Sequence, residues 1–248
     1  MSFLDRLFPT RSTSSVHGLV TRLFRPHVEL PAGLAQRLRE WQALPGLTER
    51  SALAAARFVV VDVETTGLDA RRDRLLAIGA VAVEAGRLRP GEGYDVTVHN
   101  PVPSTRANIL VHGISPDAQT TGIAADAALM GFLELARHDV LVAYHAGFDQ
   151  AVLERALREQ LGVRLPNLWL DVAHLAPVLA PEARLANRNL DDWLVYFGLR
   201  AHARHRAAYD AYATAELLLI LLARATRAGL TSIGQLLATG ERQKRLLS

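Results

Sequence analysis

The run Phe58-Val59-Val60-Val61, followed by Asp62-Val63-Glu64-Thr65-Thr66-Gly67-Leu68, constrains this chain more than any other stretch. The valines predict a buried β-strand, and Gly67 supplies the turn that closes it. Side chains two apart along a strand share a face, so Asp62 and Glu64 project together from its end. Two carboxylates aimed at one point repel each other unless a cation lies between them or one stays protonated. Hard oxygen donors of this kind suit Mg²⁺ or Mn²⁺ better than zinc. The plain alternative is a pair of solvated acids at a strand end.

Composition excludes several chemistries. With no cysteine among 248 residues, disulfides, thiolate metal sites and cysteine nucleophiles are ruled out. Half of the residues are apolar, enough for one large domain with an appended segment. Met1–Arg6 lacks the pattern of a signal peptide, and the apolar stretch Leu217–Ala223 is too short for a bilayer. A soluble, cytoplasmic protein with no membrane partner is expected. Residues 1–50 carry seven Arg against four acids and hold the whole net charge of +3. Net charge therefore names no partner.

The chain divides into an extension at 1–57, a main domain at 58–228 and a short helical tail at 229–248. In the extension, Leu34, Leu38 and Trp41 lie on one helical face between Pro31 and Pro45. That stripe either packs on the main domain or docks a partner. Beyond Phe58 the pattern is mixed. Strands are predicted at Leu75–Glu84, Tyr94–Val98, Val140–Tyr144 and Leu168–Leu170. Helices are predicted at Ala124–Arg137, Gln150–Leu161, Val172–Leu179, Leu190–Phe197 and Tyr209–Thr226. Three antiparallel strands followed by strand–helix units give an α/β fold, a mixed five-stranded sheet flanked by helices.

Two further acids join the first pair. Asp149 follows the fourth strand at the mouth of a helix, and Asp210 opens the last long helix; each alone reads equally well as a helix-start acid. His205 precedes Asp210 by five residues, about 500° of helical rotation. The two reach one site only if His205 lies in the loop before the helix. Four carboxylates and a histidine suit phosphodiester hydrolysis, in which two cations stabilise the attacking and leaving oxygens and the imidazole removes a proton from water.

As a set, Asp62, Glu64, Asp149, His205 and Asp210 resemble the DEDDh family of 3′–5′ exonucleases, above all the DnaQ-like proofreading epsilon subunits of DNA polymerase III. Asp62-Val-Glu-Thr-Thr-Gly-Leu68 is similar to the family's first motif, Tyr144-His-Ala-Gly-Phe-Asp149 to its second, and His205-x4-Asp210 to its third. Asn100-Pro101, Val111-His-Gly-Ile114, Leu170-Asp171 and Asn189-Leu-Asp-Asp-Trp193 fall in family-like order, so the likeness spans residues 57–227. It implies an RNase-H-like sheet with its acids at one end and two divalent cations, Mg²⁺ or Mn²⁺. Asp62, Glu64 and Asp210 would hold the metals directly and Asp149 mainly through water, with His205 as general base. Thr65 and His112 resemble positions that contact the terminal nucleotide.

One departure stands out: where the family commonly has His-Asn-Ala, this chain has Tyr144-His145-Ala146, a titratable ring in place of an amide. The expected activity is release of 5′-mononucleotides from the 3′ end of a single strand, DNA favoured over RNA, in proofreading or repair. A DNA polymerase or another protein would dock through residues 1–57. The alternatives are a 3′–5′ exoribonuclease and an inactive nucleic-acid-binding module, although no acid of the set is missing. Asp171 and His174 are read as structural, and Arg184, Arg188, Arg204 and Arg206 as phosphate contacts or solvated charge. Arg242–Arg245 reads as a frayed basic tail.

Overall fold

The computed structural model describes residues 28–185, 189–200 and 205–247. The chain enters through helix α1 (Ala32–Gln42) and a 3₁₀ turn at Leu53–Ala55, then forms β1 (Arg57–Thr65), β2 (Leu75–Glu84) and β3 (Arg87–Thr97). Two short helices follow, α2 (Arg106–His112) and α3 (Pro116–Thr121), then α4 (Ala125–Ala136), β4 (Val140–Ala143) and α5 (Gly147–Gln160). The remainder is β5 (Trp169–Asp171), α6 (Val172–Leu179), α7 (Leu190–Tyr196), α8 (Ala207–Arg227) and α9 (Ile233–Leu247).

The five strands form one sheet in the order β3-β2-β1-β4-β5, with β1–β2 and β2–β3 antiparallel and β1–β4 and β4–β5 parallel. The mixed five-stranded sheet expected from the valine run and short turns is thus present, with β1 at its centre. Alternation along β1 divides the core. Phe58 and Val60 pack with α6, α7 and α8 residues such as Leu175, Trp193 and Leu217, whereas Val59, Val61 and Val63 pack with Leu129, Phe132 and Leu153 of α4 and α5. Each fully buried Val or Leu contributes about 1.5–3 kcal/mol relative to exposure, and the two layers fix the register of β1.

β3 begins earlier than the predicted Tyr94. Pro90 and Gly91 lie where the β2–β3 register shifts between Val81 and Ala82, and that irregularity hides the strand from a period-two pattern. At the foot of β1, the buried Arg57 guanidinium meets Asp139 at 2.5 Å and Glu92 at 2.8 Å, and donates to Leu135 O at 3.0 Å.

Of the two readings of the extension stripe, α1 takes the intramolecular one. Leu38 and Trp41 are buried, the Trp41 indole N–H donates to Arg137 O at 3.2 Å, and Arg37 grips Glu134 of α4 with two bonds of 2.7 Å. Residues 49–53 pair with the start of α9: Leu53 N–H donates to Thr231 O, Ile233 N–H to Ser51 O and Gly234 N–H to Glu49 O. Helix α9 continues through Arg242–Arg245 rather than fraying there. No helix among the described residues is long and apolar enough to cross a membrane.

Candidate active site

Asp62 and Glu64 continue the face of β1 that carries Phe58 and Val60, past the point where the apolar core ends; both are partly exposed. Asp62 stands opposite Gly79 of β2. A Cβ on Gly79 would come within 2.1 Å of the Ala207 and Ala208 backbone, so only glycine lets the first turn of α8 lie on the strand. That close approach brings in Asp210, the acid of α8's first turn. Oxygens of Asp62, Glu64 and Asp210 lie within 4.8 Å of one another. Three hard oxygen donors, two of them partly open to water, suit a divalent cation such as Mg²⁺ or Mn²⁺.

Asp149 reaches the same strand end from the opposite layer. It lies in the first turn of α5, yet it does not cap that helix; Ala146 holds the N-cap position. Its Oδ1 instead accepts the backbone N–H of Val63 at 3.1 Å, between the two β1 acids in sequence. Asp149 is buried, and desolvation above all pushes its carboxyl up to about 8, with Asp171 and Glu64 adding repulsion against the pull of backbone N–H groups. A buried carboxyl beside other acids is a group whose ionisation a nearby cation favours.

His205 lies in the loop immediately before α8, as its spacing from Asp210 requires. It is exposed, has φ +63°, and its backbone N–H donates to Asp210 Oδ2 at 3.1 Å. The loop and the acid of the cluster are therefore tied together at the backbone.

Thr65 and His112 occupy different settings. Thr65 Oγ1 donates to Gly67 O at 2.5 Å, at the start of a closely bonded loop. In that loop Thr66 Oγ1 donates to Asp73 Oδ1 at 2.9 Å, and Arg155 of α5 donates to the carbonyls of Ala70 and Asp73. The His112 ring is buried. Its Nδ1 accepts from Ile114 N–H at 3.0 Å, and its Nε2 lies 3.1 Å from Ser104 Oγ, which Gln119 Nε2 also contacts at 3.0 Å. Burial holds the His112 pKa below the usual value, and the Ile114 bond needs Nδ1 unprotonated. Beside the exposed Arg106, this helix turns two large apolar side chains to solvent, Leu110 and Val111, and Leu68 is exposed on the β1–β2 loop. The sequence placed Val111 only within the Val111-His112-Gly113 segment and gave Leu68 and Leu110 no role of their own, because an apolar residue carries no polar signal; their exposure is what marks them.

Asp171 has the structural setting expected of it. Its Oδ1 accepts from Ala173 N–H at 2.9 Å, capping α6, and from His145 N–H at 3.0 Å, while Oδ2 lies 3.1 Å from His174 Nδ1. His145, the departure in the second motif, has φ +63°, a left-handed conformation that Asn and His both tolerate better than most residues. Arg188 and Arg204 lie outside the described residues.

The comparisons agree with this geometry. The RNase_T family, described as Exonuclease, matches residues 59–218. A DNA polymerase III PolC-type protein of Caldanaerobacter subterraneus subsp. tengcongensis is 30% identical over 188 residues, covering 76% of this chain and 13% of that relative. A DNA polymerase III subunit epsilon-like protein of Rhodobacter capsulatus is 36% identical over 194 residues, covering 77% of this chain and 27% of the relative. This chain thus spans only a fraction of either relative. Among solved structures, E. coli Exonuclease I in complex with a dA16 oligonucleotide superposes with a TM-score of 0.61 at 18% identity, over 69% of this chain and 42% of that one. The acids gathered at the end of the central strand and the family match lead to one conclusion: this chain belongs to the RNase_T exonuclease family, in its DEDDh group, related to the proofreading domains of PolC and epsilon proteins.

Proposed function

We propose that the protein is a metal-dependent 3′–5′ exonuclease that removes 5′-mononucleotides from single-stranded DNA. The observation that carries this reading is the meeting of Asp62, Glu64 and Asp210 within 4.8 Å at the exposed end of β1. Asp62, Glu64 and Asp210 would hold the cations, with the buried Asp149 reinforcing their negative field. When bound, the cations supply positive charge to the phosphoryl, attacking and leaving oxygens. The exposed His205 imidazole takes the proton from the attacking water, and the bond from its backbone to Asp210 keeps the ring's loop beside the acids. Thr65 and the outward face of α2 receive the terminal nucleotide: Leu110 and Val111 offer apolar surface to a base, and buried His112 holds the α2–α3 turn beneath them.

DNA is favoured because the relatives quoted above are DNA polymerase III proteins. The same likeness supports work beside a polymerase. A polymerase would dock through residues 1–57 on a surface other than the Leu38 and Trp41 face of α1, which the main domain covers.

The test is cleavage of matched 5′-labelled single-stranded DNA and RNA in Mg²⁺, Mn²⁺ or excess EDTA. Progressive 3′ shortening of DNA that EDTA stops is the expected result. Preference for RNA would retain the chemistry and change the substrate. No shortening of either would overturn the assignment.

A further inference from the structure

A second concavity, of about 500 Å³, opens one layer outward from the acids, between the edge strand β3 and the first turns of α8. Gly93 and Asp95 form its floor, Tyr209, Tyr212 and Glu216 its helical wall, and Arg200 lies on its rim. We propose that this groove holds a base of the substrate strand one or two nucleotides on the 5′ side of the bond being cut. The inference rests on the exonuclease reading and adds a strand-binding subsite to it.

Position comes first. Asp62, Gly79 and Asp95 form one cross-strand row on the α8 face of the sheet, so the groove lies two strand spacings, about 10 Å, from the acids. One or two nucleotides of an extended strand cover that span. The groove is also continuous with the acidic site through α8 itself: Tyr209 directly precedes Asp210, and Arg206 directly follows His205.

Its chemistry selects the occupant. The volume suits a base and sugar, and Tyr209 is exposed, an aromatic surface for stacking. Asp95 and Glu216 repel a phosphate inside the groove but accept hydrogen bonds from the amino groups of a base. The phosphate belongs at the rim. There the Arg206 guanidinium lies over the Tyr209 ring at 5.1 Å and 4.0 Å from Asp95, with both side chains of that ion pair more than half exposed. An ion pair so long and open is weak, and a phosphate competes with Asp95 for the guanidinium.

The experiment compares two substrates on the 248-residue chain with Mn²⁺: a single-stranded DNA 12-mer, and the p-nitrophenyl ester of thymidine 5′-monophosphate, which has no upstream base. In Tyr209→Ala the ratio of kcat/KM for the strand to that for the ester falls about tenfold, mostly through KM, and Tyr209→Phe restores it. Arg206→Ala lowers the same ratio and flattens its dependence on salt. An unchanged ratio in Tyr209→Ala overturns the subsite and leaves the exonuclease reading standing. Hydrolysis of neither compound by the wild-type protein overturns both. If the ratio is unchanged and the substitution instead breaks a wild-type dimer on gel filtration, the groove belongs to a second copy of the chain and the subsite is overturned.

Discussion

Gly79 stands directly opposite Asp62 in the β1–β2 ladder, and the space its missing side chain leaves is filled by the backbone of Ala207 and Ala208. One absent methyl group therefore sets how closely α8, with Asp210, approaches the acids of β1. Gly79→Ala should force the helix start away from the strand at a cost of about 3 kcal/mol, lowering Tm by roughly 6–12 °C. Below that Tm, cleavage of labelled DNA should fall more steeply than the folded fraction, because the Asp210 oxygens retreat. A variant with normal cleavage and normal Tm would contradict the close approach.

Asp62→Ala should reduce 3′ shortening of single-stranded DNA by at least about a thousandfold. Without metal, the variant should be as stable as the wild type or more so, since one member of a repelling cluster is gone. Thermal melts in EDTA and in Mg²⁺ check both halves. The wild type gains Tm on adding Mg²⁺ by mass action, and the variant loses most of that gain.

Asp149 makes stability depend on pH when metal is absent. Its carboxyl is pushed up to about 8 in the folded protein, against about 3.9 in an unfolded chain. Between those values the folded state binds more protons, so stability falls as pH rises through the window. Asp149→Asn removes the titration. In EDTA its Tm should match the wild type near pH 4 and exceed it increasingly toward pH 8, and Mg²⁺ should shrink the difference. A constant difference across the window would contradict the buried, raised carboxyl.

His205→Ala should lower kcat by about 10²–10⁴-fold, less than loss of Asp62, and should leave Tm near that of the wild type because the ring is exposed. Single-turnover cleavage of labelled DNA reads the first effect and a thermal melt the second; cleavage at the wild-type rate would contradict the proton-acceptor role.

Arg57→Met should cost about 3 kcal/mol, since it leaves Asp139 without its guanidinium partner at the foot of β1. Burial already pushes the Asp139 carboxyl up against the pull of Arg57, whereas the same guanidinium holds Glu92 below the usual range. Chemical denaturation at pH 7 reads the loss. Cleavage per folded molecule should be unaffected, because Arg57 is at the other end of the strand from Glu64.

Much of this was legible in the residues themselves. β1 and β2 show as apolar runs, and α4 and α8 as long stretches of helical period. The convergence of Asp62 with Glu64 follows from strand alternation alone, and the loop position of His205 from its spacing to Asp210. The short helices α2 and α3 were invisible because they present too few turns to show a period. They are fixed by caps at Thr105 and Ser115 and by the buried bonds among Ser104, His112, Ile114 and Gln119. The burial of His112 was hidden for the same reason, since only the folded network shows which way the ring faces. The role of Gly79 was equally silent. A glycine inside a strand indicates that something approaches, but not that it is the helix bearing Asp210.

The backbone bonds between residues 49–53 and 231–234 fasten the two ends of the described chain to each other. Segments separated by some 180 positions therefore protect one another's amides and should exchange with solvent as one cooperative unit. A tug on the segment just before β1 is passed to α9, on the far side of the chain's own sequence. Whatever grips one extension of this nuclease holds the other as well.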